Sequence, residues 1–204
     1  MPLRKFAVMV SGGGTDLQSI IDSDAREGIA CVISSKDGVY SLERCKKAGI
    51  PAYVVKKSDY SSKEEFDGAI LKILKSYNAE FVVLAGYLQI LGETLINEYE
   101  NKIINIHPSL IPSFCGMGYY GLKVHQAVLD YGAKITGVTV HFVDVQADHG
   151  PIIAQIPVEV KDDDTAETLQ QRVLAKEHEI LPKAVLAMAQ GKIEVNGRKV
   201  VVKD

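Results

Sequence analysis

The chain has 204 residues, of which 47% are hydrophobic and 24% are charged, and its formal net charge is −3. This size and composition predict a single globular domain over residues 1–204, and the small negative charge gives no reason to expect nucleic-acid or membrane binding. The sequence contains neither the ~20 consecutive apolar residues of a membrane span nor a cleavable signal peptide. Three cysteines without metal-ligand spacing, Cys31, Cys45 and Cys115, fit a reducing compartment, so we expect a cytoplasmic protein with bystander thiols.

Short apolar runs alternate with helical patterns in the first half of the chain. The predicted strands are 6–10, 29–35, 51–55, 81–86 and 102–108. The predicted helices are 15–23, 41–49, 61–78 and 92–100. Because fully apolar short strands that alternate with helices are typical of a sheet covered on both faces, we predict a doubly wound α/β fold with a mostly parallel sheet flanked by helices.

The second half continues with two extended runs at 134–144 and 150–160, a long helix at about 165–190 and a hairpin-like tail at 192–202. In open α/β sheets, ligands bind beyond the carboxyl ends of the strands. Gly12–Gly14, Gly86 and His107 all follow or end predicted strands. We therefore expect them to converge on one cleft.

Asn105 and His107 stand two residues apart in "KIINIHPSL", at the end of a predicted strand. Side chains at i and i+2 of a strand share a face, and Pro108 ends the ladder because it lacks an N–H group. The pair therefore presents one neutral donor and one titratable group at the strand end. The alternative is a hydrogen-bonded core histidine beside a capping asparagine. The glycine- and tyrosine-bearing segment 112–122 that follows resembles a binding lid.

The segment "VMVSGGGTDLQ" leads a strand through three glycines into a helix. Free N–H groups and the positive end of the helix dipole suit an anion there. The spacing matches neither the dinucleotide fingerprint nor the Walker motif, so a monophosphate fits better than a dinucleotide. The alternative is a plain turn with Thr15 or Asp16 as the helix cap.

Two further segments have both a functional and a structural interpretation. Asp144, Asp148 and His149 lie in "VHFVDVQADHGP", where a carboxylate could pair with His107 and raise its pKa; the alternative is a solvated turn. The apolar residues at 84–91 surround a glycine at a strand end. They could form a pocket for a flat ring or simply pack in the core.

Taken together, "SGGGTDLQSII", "FVVLAGYLQIL", "NIHPSLIPSF" and "VTVHFVD…ADHGPII" resemble, in order and spacing, the glycinamide ribonucleotide formyltransferases, folate-dependent enzymes of purine biosynthesis. The resemblance extends from residue 6 to about residue 190. It implies a Rossmann-like formyltransferase fold, with a nucleotide- and phosphate-binding half at 1–100 and a catalytic and folate-binding half at 101–204.

The resemblance also implies the reaction. The formyl group of 10-formyltetrahydrofolate, the co-substrate, passes to the amine of glycinamide ribonucleotide, which gives N-formylglycinamide ribonucleotide and tetrahydrofolate in de novo purine biosynthesis. It implies small-molecule substrates only, with no metal, nucleic acid or membrane partner, and a monomer or homodimer.

Site residues follow from matching motif positions. Asn105 and His107 are expected to stabilise the oxyanion, with Asp148 raising the pKa of His107 above its ordinary ~6.5. The positions matched to the ribonucleotide site are Gly14, Thr15, Asp16 and Glu177. The positions matched to the folate site are Lys63, Leu88, Gln89, Ile90, Leu91, Asn105 and Asp144, with 144–148 as a further wall. Asp16, Lys63 and Gln89 replace an asparagine and two arginines that are common in the family.

Three rival functions predict different features. Formylation of methionyl-tRNA calls for an added carboxyl-terminal nucleic-acid-binding domain, and hydrolysis of formyltetrahydrofolate usually comes with a regulatory domain before the glycine turn. The length of the chain disfavours both. A non-catalytic nucleotide-binding module predicts ligand binding at the glycine turn without any dependence on His107.

Overall fold

A computed structural model describes residues 2–203. Its strands are β1 (Phe6–Val10), β2 (Ile29–Ser34), β3 (Ala52–Val54), β4 (Phe81–Leu84), β5 (Ile103–His107), β6 (Ile135–Phe142), β7 (Ile152–Glu159), β8 (Ile193–Asn196) and β9 (Lys199–Val202). Its α-helices are α1 (Thr15–Ile21), α2 (Tyr40–Ala48), α3 (Lys63–Ser76), α4 (Glu93–Glu98), α5 (Leu122–Tyr131) and α6 (Ala166–Ala189), with short 3₁₀ turns at Arg26–Gly28 and Lys57–Asp59.

Seven strands form one sheet in the order β3-β2-β1-β4-β5-β6-β7, and β8 pairs with β9 in a separate hairpin. The strands from β3 to β5 run parallel, whereas β6 and β7 are antiparallel to their neighbours. This arrangement confirms the predicted doubly wound, mostly parallel sheet. The antiparallel direction of β6 and β7 has no signal in the local apolar pattern.

The central strand β1 shows why the pattern of continuous apolar residues arises. Phe6, Val8 and Val10 face one hydrophobic core, and Ala7 and Met9 face the other. Because successive side chains of a strand point to opposite faces, a strand covered on both faces must be apolar throughout. All five side chains are fully buried.

Two helices begin with side-chain caps that the sequence allows one to predict. The Glu65 N–H donates to the Ser62 hydroxyl ahead of α3, and Thr165 forms a capping box with Thr168 ahead of α6. The helix α6 packs against α1 and α5, which places Glu177 near the glycine turn.

Two features differ from the sequence-based predictions or extend them. Helix α5 was not predicted, because its start follows the glycine- and tyrosine-rich segment directly. The end strand β3 is exposed at all three residues, unlike the buried strands.

Cys31 and Cys45 are buried and Cys115 is half-buried, as expected for bystander thiols. Within 2–203, every helix is too short or too polar to cross a membrane.

Candidate active site

A cavity of about 510 Å³ opens at the carboxyl ends of β1, β4 and β5. It brings together Gly13, Gly14, Gly86 and His107, so the predicted convergence is confirmed for these residues, whereas Gly12 does not line the cavity. Residues from α5 and α6 close the cavity from the other side. The cleft therefore has two chemically distinct ends, one at the glycine turn and one at the end of β5.

Asn105 is held by the antiparallel pairing of β5 with β6. The register places it opposite His141, and its Nδ2 atom lies 3.2 Å from His141 Nε2. Asn105 Nδ2 also donates to Asp148 Oδ1 across 3.5 Å. The amide group thus sits at the edge of the cleft with its donor atom directed at a histidine and a carboxylate.

His107 lies between two acceptors. Its Nε2 atom lies 2.9 Å from the carbonyl oxygen of Phe114, and its Nδ1 atom lies 3.5 Å from Asp148 Oδ2. The ring is 4% exposed. The pairing of His107 with Asp148 across the cleft is the arrangement that the sequence predicts.

The prediction that the pKa of His107 lies above its ordinary value is wrong. Burial is the largest effect and lowers the pKa of His107, and the nearby His141 lowers it further. Asp148 and the Phe114 carbonyl raise the pKa, as expected for acceptors, but they do not offset burial. The sequence identifies the partner carboxylate, but it gives no measure of how deeply the ring is enclosed.

Asp148 lies close to both His107 and His141 and accepts a hydrogen bond from a backbone N–H group at this end of the cleft. Burial alone would raise its pKa, but the hydrogen bond to His141, the charge of His107 and the Gly116 N–H group together lower the pKa below its ordinary value. The Gly116 N–H donates to Asp148 Oδ2 across 2.8 Å. Asp148 adopts a left-handed backbone with φ of 53°, a conformation that costs a non-glycine residue about 1–3 kcal/mol.

At the other end, the glycine turn is shaped by backbone rather than by side-chain caps. Gly14, with φ of 69°, is the N-cap of α1, and no side chain caps the helix, so neither Thr15 nor Asp16 has that role. A Cβ atom on Gly14 would lie 2.7 Å from Ser41 Cβ. Arg44 donates through Nε to the Gly13 carbonyl across 2.8 Å. This contact places a cation beside the turn.

Two carboxyl groups are buried at this end. Burial raises the pKa of Asp16 to about 6, and burial together with the charge of Asp16 raises the pKa of Glu177 to about 8. Asp16 Oδ1 accepts no hydrogen bond from the residues at 2–203, and His178 Nε2 lies 3.6 Å from it. At neutral pH, Glu177 therefore carries a proton and can donate a hydrogen bond to a ligand.

A smaller cavity of about 150 Å³ adjoins the end of the cleft that holds the His107–Asp148 dyad (the dyad end), and Asn105 and Asp148 line both cavities. The structure places most of the residues matched to the folate site here. Those lining the smaller cavity are Gln89, Ile90, Leu91, Asn105 and Asp144. Leu88 lies in the larger cavity, whereas Lys63 is exposed at the start of α3 and lines neither.

Sequence reasoning missed two buried histidines of the site. His141 was visible in the "VTVHFVD" motif, but its role depends on the antiparallel register that sets it opposite Asn105. His125 lies on α5 and lines the larger cavity, and its Nδ1 atom has no hydrogen-bond partner within 2–203. Burial, with a smaller effect from His107, lowers the pKa of His125 to about 4, so it is neutral at physiological pH.

The dyad end can stabilise negative charge and move a proton. An amide donor and a titratable imidazole converge at one strand end, and a half-buried carboxylate, Asp148, orients the imidazole. Donors aimed at a developing oxyanion are a common means of accelerating acyl transfer. In the part of the chain that the structure describes, His, Cys, Asp and Glu side chains form no group of three or more that could hold a metal ion.

The chain belongs to the formyl transferase family, whose model matches residues 4–185. It is similar to glycinamide ribonucleotide transformylase 1 from Symbiobacterium toebii, with a TM-score of 0.91 and 40% identity over 99% of this chain and 95% of that one. It is also similar to the trifunctional purine biosynthetic protein adenosine-3 of Gallus gallus, with 42% identity over 94% of this chain. The matched region is only 19% of that relative's length. A formyltetrahydrofolate deformylase from Pseudomonas syringae has a TM-score of 0.88 and 30% identity over 99% of this chain and 66% of its own.

Proposed function

We propose that the chain transfers the formyl group of 10-formyltetrahydrofolate to the amine of glycinamide ribonucleotide, in de novo purine biosynthesis. The observation that carries the proposal is the convergence of Asn105, His107 and Asp148 at one end of a cleft in a member of the formyl transferase family. The names of the similar proteins from S. toebii and G. gallus support the purine pathway.

In the proposed reaction, the amine attacks the formyl carbon and a tetrahedral centre with a developing oxyanion forms. The Asn105 amide donates to that oxygen, and His107 donates to it once it has gained a proton; losing one such donor typically costs about 2.7–4 kcal/mol. A proton must also leave the attacking amine and reach N10 of the folate. A histidine whose pKa is lowered by burial is largely neutral near pH 7, so His107 can accept that proton before it passes it on.

The glycine-turn end is proposed to bind the ribonucleotide. Backbone N–H groups at Gly14, Thr15 and Asp16 suit the phosphate. The protonated Glu177 can donate to a ribose hydroxyl, because its raised pKa keeps the proton at neutral pH. This arrangement corresponds to the proposed division of the domain at about residue 100, with Glu177 reaching the first half from α6.

The smaller cavity is proposed to hold the pterin of the folate. Its apolar side is formed by Ile90 and Leu91, and Asp144 supplies a polar group at its rim. Lys63 lies outside the cavity, so it can contact only the outer, charged tail of the co-substrate. The proposed reaction uses the folate as co-substrate and no metal. The cytoplasmic location and the monomeric or homodimeric state stay predictions.

A second candidate is hydrolysis of 10-formyltetrahydrofolate, which the likeness to the P. syringae deformylase favours. The two reactions differ in whether water or the ribonucleotide amine accepts the formyl group. They share the dyad and the folate cavity. Only the acceptor requirement separates them.

The test follows loss of the formyl donor by absorbance, with and without glycinamide ribonucleotide. We expect turnover only when the acceptor is present, and at least a hundredfold loss in Asn105→Ala. Asn97→Ala, an exposed asparagine of α4, is the matched control and should retain wild-type turnover. Donor loss that is independent of the acceptor would replace the transferase with the hydrolase, and equal turnover in Asn105→Ala would remove the proposed site.

A further inference from the structure

The segment that follows β5 contacts both members of the dyad through its backbone. The Phe114 carbonyl accepts from His107 Nε2 across 2.9 Å, and the Gly116 N–H donates to Asp148 Oδ2 across 2.8 Å. The loop therefore supplies an acceptor to the histidine and a donor to the carboxylate. Its exact placement determines how the imidazole ring is oriented.

Phe114 holds an unfavourable backbone conformation at this contact. Its φ is 51°, in the left-handed region that favours glycine and that bulky residues rarely adopt. A residue remains in such a conformation only when its surroundings hold it there. The Ser109 hydroxyl donates to the Phe114 carbonyl across a long 3.3 Å, so this contact alone is a weak restraint.

The Ser109 hydroxyl also donates to the neighbouring Ser113 carbonyl across 2.6 Å, and the ring of Phe114 supplies a further restraint. It packs edge-on against Tyr131, with ring centroids 5.7 Å apart and an interplanar angle of 76°, and against Tyr119 at 6.5 Å and 71°. Edge-to-face aromatic pairs at these separations are favourable beyond the area that they bury. The Phe114 ring thus packs between the rings of Tyr119 and Tyr131, and these three residues form an aromatic clasp.

Tyr131 contacts Phe114 from outside the cleft. It is the last residue of α5, is 82% exposed, and does not line the cleft that contains His107. Its ring instead lines a separate crevice of about 500 Å³ together with Phe114 and Tyr119. Tyr119 lines both the cleft and the crevice, so Tyr131 is the residue that can be changed without touching the cleft.

We propose that Tyr131 is a positioning residue for His107: its ring holds Phe114 in the left-handed conformation that keeps the Phe114 carbonyl on His107 Nε2. Removal of the Tyr131 ring lets Phe114 relax and withdraws the carbonyl. The imidazole then loses one of its two acceptors and its fixed orientation. The ribonucleotide and folate cavities are left unchanged, so the defect is expected in kcat and not in KM.

The protonation of His107 reports on this contact directly. The titratable groups that face His107 are Asp148 on the loop after β6, His141 on β6 and His125 on α5. None of these belongs to the aromatic clasp. Because the Phe114 carbonyl raises the pKa of His107, its withdrawal must lower that pKa further.

The test is an NMR titration of His107 in the full chain, with steady-state kinetics alongside. In Tyr131→Ala we expect a lower His107 pKa and a kcat reduced about tenfold with KM within about twofold. Tyr131→Phe keeps the ring and should match the wild type in both readouts. An unchanged His107 pKa in Tyr131→Ala, or an equal fall in Tyr131→Phe, would overturn the inference.

A second variant distinguishes loss of this specific restraint from a general disturbance of the fold by Tyr131→Ala. Glycine adopts the left-handed φ freely, so Phe114→Gly removes the need for a clasp. We expect Tyr131→Ala to lower the His107 pKa in the wild-type background and to have no further effect in Phe114→Gly. Equal effects in both backgrounds would overturn the inference. The kinetic arm rests on the proposed function, but the titration does not, so a shifted pKa in a chain without transferase activity would refute the function alone.

Discussion

The pKa of an aspartate is shifted in opposite directions at the two ends of the cleft. Asp148, at the dyad end, receives hydrogen bonds or charge from two histidines and a backbone N–H, and its pKa is lowered despite burial. Asp16, at the glycine turn, is buried with one oxygen lacking a hydrogen-bond partner within 2–203, and burial raises its pKa to about 6. Asp16 is the more deeply buried of the two and lacks the partners that lower the pKa of Asp148, so the pKa values of the two carboxyl groups shift in opposite directions.

The difference suits the chemistry proposed for each end. An ionised Asp148 can orient and stabilise a histidine that gains a proton during the reaction. A cleft end that must accept a phosphate is better served by carboxyl groups that bind protons readily, because two full negative charges would repel the ligand. At neutral pH the proton on Glu177 leaves Asp16 as the one ionised carboxylate of this buried pair, which lessens the repulsion of an anionic substrate.

The largest expected effect comes from removing the charge at the dyad end. Asp148→Asn should lower kcat about a hundredfold, because the buried imidazolium loses its carboxylate. Asparagine tolerates the left-handed φ of this position, so the backbone should remain in place. The measurement is steady-state turnover, with Asp130→Asn, an exposed aspartate of α5, as the control. Wild-type turnover in Asp148→Asn would mean that the dyad pairing has no part in catalysis.

The next effect separates backbone from side chain at the glycine turn. Gly14→Ala should destabilise the protein by about 1–3 kcal/mol, because Gly14 has a positive φ and its new Cβ meets Ser41. Gly13→Ala should change stability far less, because nothing lies within 4 Å of a Cβ there. Urea denaturation of both variants measures the difference. Equal destabilisation would show that the turn is not built around Gly14.

A smaller, pH-dependent effect tests the acidic end. The raised pKa of Glu177 means that the folded state binds a proton that the unfolded state releases, so stability is full below about pH 4.5 and falls as the pH rises towards about 8. Within that window the slope for one proton is about 1.4 kcal/mol per pH unit. Glu177→Gln should flatten the slope, and Glu179→Gln, exposed on the same helix, should not. The measurement is the melting temperature as a function of pH. A slope in Glu177→Gln equal to that of the wild type would contradict the raised pKa of Glu177.

The smallest effect is expected at the rim. Lys63 is exposed, and exposed ion pairs contribute roughly 0–1 kcal/mol, so Lys63→Ala should raise KM for the folate donor only about two- to fivefold. The increase should shrink in high salt, because screening already weakens the interaction in the wild type. A KM that does not change at low salt would remove Lys63 from the folate site.

Much of the fold is readable from the sequence because burial on both sheet faces requires continuous apolar strands. The alternation through β1 to β5 gives the doubly wound class without any tertiary information. Strand direction beyond β5 is harder to predict, because β6 is buried on both faces like the parallel strands and its apolar pattern therefore does not show that it runs antiparallel. Helix α5 was missed because glycine and tyrosine before Leu122 mask its start.

The site residues also divide into those that local sequence spacing predicts and those that depend on the tertiary structure. Asn105 and His107 can be paired from local spacing, because i and i+2 share a strand face. His141 cannot, since its contact with Asn105 depends on the register of an antiparallel neighbour. The sign of the His107 pKa shift was also out of reach, because it results from burial opposed by Asp148 and Phe114, and the sequence shows only the opposing acceptor.

The most direct test of formyl transfer at His107 traces the carbon itself. The protein is mixed with 10-formyltetrahydrofolate carrying a ¹³C-formyl group and with glycinamide ribonucleotide, and the products are followed by ¹³C NMR. We predict that the label appears in the formamide of N-formylglycinamide ribonucleotide with the wild type, and that His107→Ala forms this product at least about a hundredfold more slowly. Label that accumulates as free formate, or appears in the ribonucleotide at the same rate with His107→Ala, would contradict the account.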